Sequence, residues 1–214
     1  MRLNPALIVI TDRAILAGGS NLPMSDAVRA AAAGGATIIQ HREKHLEGTA
    51  FLREADELRA ALERSGCAFT VNDRVDIALA CGAEGVHLGQ GDLPLSRAKR
   101  LVGDRLAFGV SAGKNEWAAQ AAEDGADYIG VGPIYPTGSK ENTRAPIGPE
   151  GVAGVLAHAG GVPAVAIGGM NAENLAPVIA AGARGVAVIG AVMGAPDIEA
   201  AAREIRRRIE EAGA

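Results

Sequence analysis

The chain has 214 residues, of which 48% are apolar and 21% charged, and its formal net charge is −4. This length and balance suit one globular domain over residues 1–214, and the negative charge argues against a nucleic-acid binder, which needs a basic face. With no signal-peptide pattern and no apolar run near the roughly 18 residues of a membrane span, we expect a cytoplasmic protein that binds no membrane.

Short β-branched runs alternate with Ala-rich helical patterns along the chain. The runs predict eight strands, at residues 7–11, 37–40, 69–71, 85–88, 107–110, 128–131, 164–167 and 185–189. The clearest helical patterns cover residues 25–33, 49–64, 115–123, 172–181 and 198–211. Because parallel neighbours need crossovers, this order predicts a single-domain (β/α)8 TIM barrel with a closed sheet of eight parallel strands. An open doubly wound sheet is the alternative, but VITDRAILAGG is not a dinucleotide fingerprint.

A Gly-Ala pair precedes every second predicted strand. The glycines are Gly35, Gly82, Gly125 and Gly182. Each follows a predicted helix, where a residue with positive φ commonly ends the helix. We therefore expect positive φ at all four, as a structural feature that carries no chemistry.

In such barrels the active site lies at the carboxyl ends of the strands, so polar residues there are the candidates. Strand two ends in QHREK, in which Gln40, Arg42 and Lys44 differ by two positions and share one face. If that face is the interior, a guanidinium and an ammonium group converge on a site suited to phosphate. His41 then faces the outer helices.

Two carboxylates follow neighbouring strands, Asp73 after strand three and Asp92 after strand four. In a mouth rich in Lys and Arg they favour Mg²⁺, which takes one or two carboxylates, waters and substrate phosphates. The alternative is that each Asp only caps the helix that follows.

Gly-rich turns follow strands seven and eight, at Gly168-Gly169 and Gly190. They suit a phosphate held by backbone N–H groups, and the alternative is an ordinary turn. The loop PTGSK is either a second anion site or a mobile surface loop.

No Ser-His-Asp arrangement is readable, and we interpret His87, in the middle of a strand, as structural. The lack of an obvious base suits a leaving group that departs with metal assistance.

Seven segments together resemble the thiamine phosphate synthase family in order and spacing, over about residues 7–193. They are VITDR, IIQHREK, VNDRVDIALACGAEGVHLGQGDLP, GVSAG, GADYIGVGPIYPTGSK, VAIGGMNAEN and GVAVIGAV. The resemblance implies a transferase that joins 4-amino-2-methyl-5-hydroxymethylpyrimidine diphosphate to a thiazole phosphate and releases pyrophosphate. It also implies a Mg²⁺ cofactor and small phosphorylated substrates as the partners.

The resemblance assigns residues to each part of that reaction. The pyrimidine diphosphate contacts are Gln40, Arg42, Lys44, Asn72, Ser111 and Lys140. Among these, the catalytic residues are Arg42, Ser111 and Lys140. The Mg²⁺ ligands are Asp73 and Asp92. The thiazole phosphate contacts are Thr137, Gly138, Ser139, Gly169, Ile189 and Gly190. Arg74 and Asp76 are expected to serve the start of the next helix.

The chain departs from the family pattern at four places. His41 replaces an aliphatic residue, TGSK replaces Thr-Pro-Thr-Lys, SAG replaces Ser-Thr-His, and Gly190 stands where Ser is usual. The last three concern the thiazole side. Gly190 loses a hydroxyl group but keeps the backbone N–H, and the diphosphate and metal residues are intact.

Three other functions are compatible with this fold. A thiazole tautomerase would need an acid or base near the thiazole, and no His follows Ser111 here. A Schiff-base lyase would use Lys44 or Lys140 in a desolvated pocket. A phosphate-binding barrel would bind ligand without turnover. Homo-oligomerisation is compatible with the sequence, which does not specify it.

Overall fold

The barrel is closed and entirely parallel, with the strands in sequence order and the first strand paired to the last. The computed structural model describes residues 3–138 and 145–213. The strands are β1 (Leu7–Ile10), β2 (Ile38–His41), β3 (Ala68–Asn72), β4 (Gly85–Leu88), β5 (Ala107–Ser111), β6 (Tyr128–Val131), β7 (Ala164–Ile167) and β8 (Gly185–Val188). The predicted (β/α)8 barrel is confirmed, since every predicted run forms a strand.

Helices surround the sheet in the described ranges. They are α1 (Arg13–Gly18), α2 (Met24–Ala33), α3 (Gly48–Ala61), α4 (Val75–Ala80), α5 (Leu95–Val102), α6 (Asn115–Glu123), α7 (Gly148–Leu156), α8 (Ala176–Ala180), α9 (Gly190–Met193) and α10 (Ile198–Gly213), with a 3-10 turn at Gly103–Arg105. No helix in these ranges combines the length and apolarity needed to cross a bilayer.

Two helix boundaries predicted from the sequence are wrong: the helix predicted over residues 49–64 ends at Ala61, and the other concerns α8. We predicted a helix over residues 172–181, but α8 begins only at Ala176. Asn171 and Asn174 explain the difference, because the Asn171 side chain accepts the N–H of Asn174 and the Asn174 side chain accepts the N–H of Asn171. Asn favours such local turns over a helical start.

Alternation along the strands divides the apolar residues into two layers. Ile8, Ile38 and Val165 point into the barrel and pack on one another. Their neighbours Val9 and Ile39 point outward and pack under the helices. Both layers are mostly aliphatic, and the polar side chains that are buried, such as Gln40, Asn72 and His87, lie toward the carboxyl ends of the strands.

The Gly-Ala steps lie at the opposite end of the barrel and behave as predicted. Positive φ angles of 99°, 68°, 76° and 103° occur at Gly35, Gly82, Gly125 and Gly182. At the first step, Ala36 N–H then donates to the Ala31 carbonyl at 3.0 Å. This closes α2 and sets the direction of β2, which is a structural role.

Candidate active site

The end of β3 turns sharply at Asp73. Its N–H still donates to the His87 carbonyl of β4 at 2.8 Å, but its φ angle is 66°. The strand alternation therefore stops here, and Asp73 turns toward Lys44. Arg74 points elsewhere and pairs with Asp76 at the first turn of α4, as expected from the sequence.

Asp73, Asp92 and Lys44 form a compact charged cluster at the mouth. The Lys44 ammonium contacts the Asp73 carboxylate, which contacts the Asp92 carboxyl group in turn. Gly89 N–H donates to Asp92 Oδ2 at 2.7 Å and holds it in place. Burial favours the neutral form of Asp73, but hydrogen bonds from Asp92 and Lys44 outweigh it and lower the Asp73 pKa. Burial and the adjacent Asp73 raise the pKa of Asp92.

Two carboxylates forced into contact fit a hard divalent cation. A bound divalent cation would favour the ionised form of Asp92, whose pKa is raised by burial and by the adjacent Asp73. Within residues 3–138 and 145–213, no third Asp, Glu, His or Cys side chain completes a metal-binding group. That donor set suits Mg²⁺, which keeps several waters and takes substrate phosphates as its other ligands.

The three QHREK side chains lie at different depths instead of at one point. Gln40 is buried inside the barrel and bonds to the Tyr128 hydroxyl group. Arg42 Nη1 lies 3.5 Å from Asp12 Oδ2, whereas Lys44 reaches Asp73. Within the described chain, Arg42 Nε is buried without a hydrogen-bond partner, which leaves a donor for an anionic ligand.

Glu43, which the sequence analysis did not assign, holds the loop that carries Arg42 and Lys44. Its Oε1 accepts the backbone N–H of Lys44 at 2.7 Å and of His45 at 2.8 Å. Arg13 lies 3.6 Å from Glu43 and donates to Glu54 on α3 at 2.6 Å. The sequence does carry a signal for this role, because Glu43 is an acidic residue between the basic residues Arg42 and Lys44.

His87 faces the interior, with its ring between β5 and β6. Its Nε2 lies 3.0 Å from Ser111 Oγ, and its Nδ1 lies 3.2 Å from the Tyr128 hydroxyl group. With Gln40 these side chains line a narrow cavity of about 30 Å³. Ser111 ends β5, and its carbonyl accepts Gln90 Nε2 at 2.6 Å. Alternation with Val86 and Leu88 could have placed His87 inside, but its partners depend on strand register.

The turn after β7 packs against the loop after β6. Gly168 and Gly169 have φ angles of 98° and 65°. Tyr135 N–H donates to the Gly168 carbonyl at 3.0 Å, and a Cβ atom on Gly169 would lie 2.6 Å from the Pro136 carbonyl oxygen. Both positions therefore require glycine.

The other residues assigned to the thiazole phosphate lie beyond these two turns. Thr137 is half-buried and Gly138 exposed, while Ser139 lies outside the described residues, as does Lys140 of the pyrimidine diphosphate set. Ile189 is buried at the end of β8, and Gly190 starts α9. A Cβ atom on Gly190 would meet nothing within 4 Å in the described structure. This position has room for the Ser that the family usually carries.

The remaining buried member of the assigned set, Asn72, ends β3 at 6% exposure, opposite His87 of β4.

The fold and the mouth together define a class of protein. It is a TIM-barrel enzyme whose charged groups suit phosphorylated substrates and a divalent cation.

Comparison with known proteins identifies the family. Residues 7–192 match the family model described as thiamine monophosphate synthase. The thiamine-phosphate synthase of Moorella thermoacetica is 49% identical over 205 residues, 96% of this chain and 95% of the relative. That of Chloroflexus aurantiacus is 48% identical over 200 residues, 94% of this chain and 90% of the relative.

A solved structure agrees with the sequence matches. The thiamine phosphate pyrophosphorylase from Pyrococcus furiosus superposes with a TM-score of 0.88 at 39% identity, covering 99% of this chain and 98% of the other. The chain belongs to the thiamine monophosphate synthase family, so the resemblance found in the sequence is confirmed. Its activity is accordingly that of a thiamine-phosphate synthase, a transferase.

Proposed function

We propose that this transferase is Mg²⁺-dependent and uses the residues of the barrel mouth to join the pyrimidine diphosphate to the thiazole phosphate. The observation that carries the proposal is the contact between Asp73 and Asp92 beside Lys44. Asp73 and Asp92 would hold the metal. When bound, Mg²⁺ would supply positive charge that stabilises the departing pyrophosphate.

The basic residues act on the same leaving group. The bond between the pyrimidine methylene carbon and the diphosphate oxygen breaks, and the thiazole nitrogen forms the new bond to that carbon. Charge leaves with the pyrophosphate, so Lys44, Arg42 and Lys140 bind it and Ser111 donates a hydrogen bond. Groups fixed before the reaction stabilise the transition state at little reorganisation cost.

The two organic rings would lie at different depths. Gln40 and Asn72, both buried, provide amides for the polar edge of the pyrimidine. The thiazole phosphate would bind over the turns after β6, β7 and β8. Its proposed contacts are Thr137, Gly138, Ser139, Gly169, Ile189 and Gly190.

A direct assay tests the function. The purified protein is mixed with the pyrimidine diphosphate, the thiazole phosphate and Mg²⁺, and thiamine phosphate and pyrophosphate are measured. We expect both products in equal amounts, and none after the metal is removed with a chelator. No product at high enzyme concentration would refute the activity, whereas full activity after chelation would refute only the metal requirement.

Two further incubations separate the alternatives. Thiazole phosphate alone should not isomerise, which a tautomerase would catalyse. Borohydride added with substrate should not trap an adduct on Lys44 or Lys140, which a Schiff-base lyase would form.

The cytoplasmic location stays a prediction from the sequence, and the free thiols of Cys67 and Cys81 accord with a reducing compartment.

A further inference from the structure

We infer that Tyr128 is a positioning residue whose hydroxyl group orders a buried chain of hydrogen bonds from Gln40 through His87 to Ser111. The chain fixes the tautomer of His87 and turns the Ser111 hydroxyl proton toward the bound diphosphate. The inference deepens the proposed function, and its link to the diphosphate rests on that function. The chain itself can be tested without any substrate.

Tyr128 is an unusual member of an aliphatic interior. Its side chain is 2% exposed and packs with Ile8, Ile38 and Val165. A Cβ atom on Gly109 would lie 2.1 Å from the Tyr128 ring, so glycine on β5 leaves the space that the ring occupies. A buried phenol needs a hydrogen-bond partner, and this one has two.

The two partners of the hydroxyl group come from different strands. The Gln40 side chain of β2 hydrogen-bonds to it and lowers the pKa of the phenol, which is the effect of a donor. His87 Nδ1 of β4 lies 3.2 Å from it, and the opposite nitrogen of that ring lies 3.0 Å from Ser111 Oγ. Four side chains from four strands are thus linked in one series.

The chemistry of the amide and the phenol gives the series a direction. A Gln side chain has both an NH2 group and a carbonyl oxygen, and the lowering of the Tyr128 pKa by Gln40 places the NH2 group toward the phenol. The Tyr128 oxygen then accepts from Gln40, and its single proton is left for His87 Nδ1. The His87 proton then sits on Nε2 and donates to Ser111 Oγ. Burial raises the pKa of Tyr128, which keeps this phenol a donor.

The direction matters because the ligand is an anion. With Ser111 accepting from His87, its own proton points away from the ring and can donate to a phosphate oxygen. If the hydrogen bonds ran the other way, the Ser111 hydroxyl group would donate to His87. Its lone pairs would then face the diphosphate, and the negative phosphate oxygens would repel them. The phenol therefore acts on the ligand through His87 and Ser111, without touching it.

Nitrogen NMR of the histidine rings tests the chain in the ligand-free protein. The protein has four histidines, and the His87→Gln variant identifies the His87 signals by their loss. We expect one Nε2–H tautomer for His87, and a mixture of tautomers in Tyr128→Phe. The matched control is Tyr135→Phe. The Tyr135 hydroxyl group donates to the Asn174 carbonyl and not to His87, so its loss should leave the His87 signals unchanged.

An Nδ1–H tautomer in the unmodified protein would overturn the inference, even if Tyr128→Phe failed to fold. Unchanged His87 signals in a folded Tyr128→Phe variant would overturn it too. Neither result depends on turnover, so failure of the chain and failure of the proposed function are distinguishable.

Kinetics of the same variant separate positioning from simple stability. In Tyr128→Phe we expect KM for the pyrimidine diphosphate to rise about tenfold, the effect of one weakened buried hydrogen bond, with KM for the thiazole phosphate changed less than about twofold. Equal changes in both KM values, accompanied by a lower melting temperature, would show a structural role and overturn the inference.

Discussion

Asp73 occupies a backbone conformation that side chains other than glycine adopt at a cost. Its φ angle of 66° lies in the left-handed region, which costs a residue with a Cβ atom roughly 1–2 kcal/mol. The ladder bond to His87 and the contact with Lys44 offset that cost. Strain of this kind tends to occur where a side chain must be aimed, here toward Asp92.

The carboxylate pair gives the first prediction. Asp73→Asn or Asp92→Asn should lower Mg²⁺-dependent turnover about 100-fold or more, because a neutral amide removes charge that attracts the cation. The measurement is initial rate against Mg²⁺ concentration, with circular dichroism to check the fold. Asp76→Asn is the control, since that carboxylate pairs with Arg74 at the surface. An active, folded double variant would refute the metal assignment.

Two glycines at the mouth should respond in opposite ways. Gly190→Ser should fold normally and lower KM for the thiazole phosphate about threefold to tenfold, because its site is open and a hydroxyl group adds one hydrogen bond to phosphate. Gly169→Ala should raise that KM, since the new methyl would clash with Pro136. Steady-state kinetics measure both, and no change in KM with either variant would place the phosphate elsewhere.

The loop between β2 and α3 works as one element held by Glu43. We expect Glu43→Ala to raise KM for the pyrimidine diphosphate about tenfold, because the N–H groups of Lys44 and His45 lose their shared acceptor. Glu43→Gln keeps an acceptor oxygen and should stay within about threefold of the unmodified enzyme. Glu47→Ala is the control, since its side chain caps no helix. Equal loss in Gln and Ala variants would show that charge, not loop geometry, matters.

The elements differ in how far sequence could predict them. The strands were predictable because buried parallel strands are short β-branched runs, such as Leu7–Ile10 and Ala164–Ile167. The start of α8 was not, because a reciprocal turn between Asn171 and Asn174 competes with the helix. The contact of His87 with Ser111 could not be predicted either, because it depends on cross-strand register.

At the scale of the whole molecule, the barrel separates stability from chemistry. The net charge of −4 does not describe the mouth, where Lys44 and Arg42 lie beside two carboxylates. The (β/α)8 architecture explains why strand ends alone predicted this clustering, since parallel closure brings all eight carboxyl ends to one face. The pairing of each cation with a particular acid, Lys44 with Asp73 and Arg42 with Asp12, required the loop conformations.

The stability of the molecule should depend on pH through His41. This side chain is 1% exposed beneath α3, with its Nδ1 3.1 Å from Thr11 Oγ1 and its ring 4.9 Å from that of Phe51. Burial lowers the pKa of His41 from 6.5 to about 4, with Arg13 adding to this and Glu43 opposing it. Between those two pH values the unfolded chain binds a proton that the folded protein does not. Stability is therefore fully present above about pH 6.5 and is lost as pH falls toward about 4.

His41→Leu should remove this part of the pH dependence. In urea unfolding, lowering the pH from about 7.5 to about 5 should cost the unmodified protein about 2 kcal/mol more than the variant. Other groups also titrate in this range, so only the difference between the two proteins is diagnostic. Phe51→Leu alters the same apolar layer and keeps the imidazole, so it should destabilise the protein equally at both pH values. If His41→Leu loses as much stability on acidification as the unmodified protein, then His41 is not held neutral by burial.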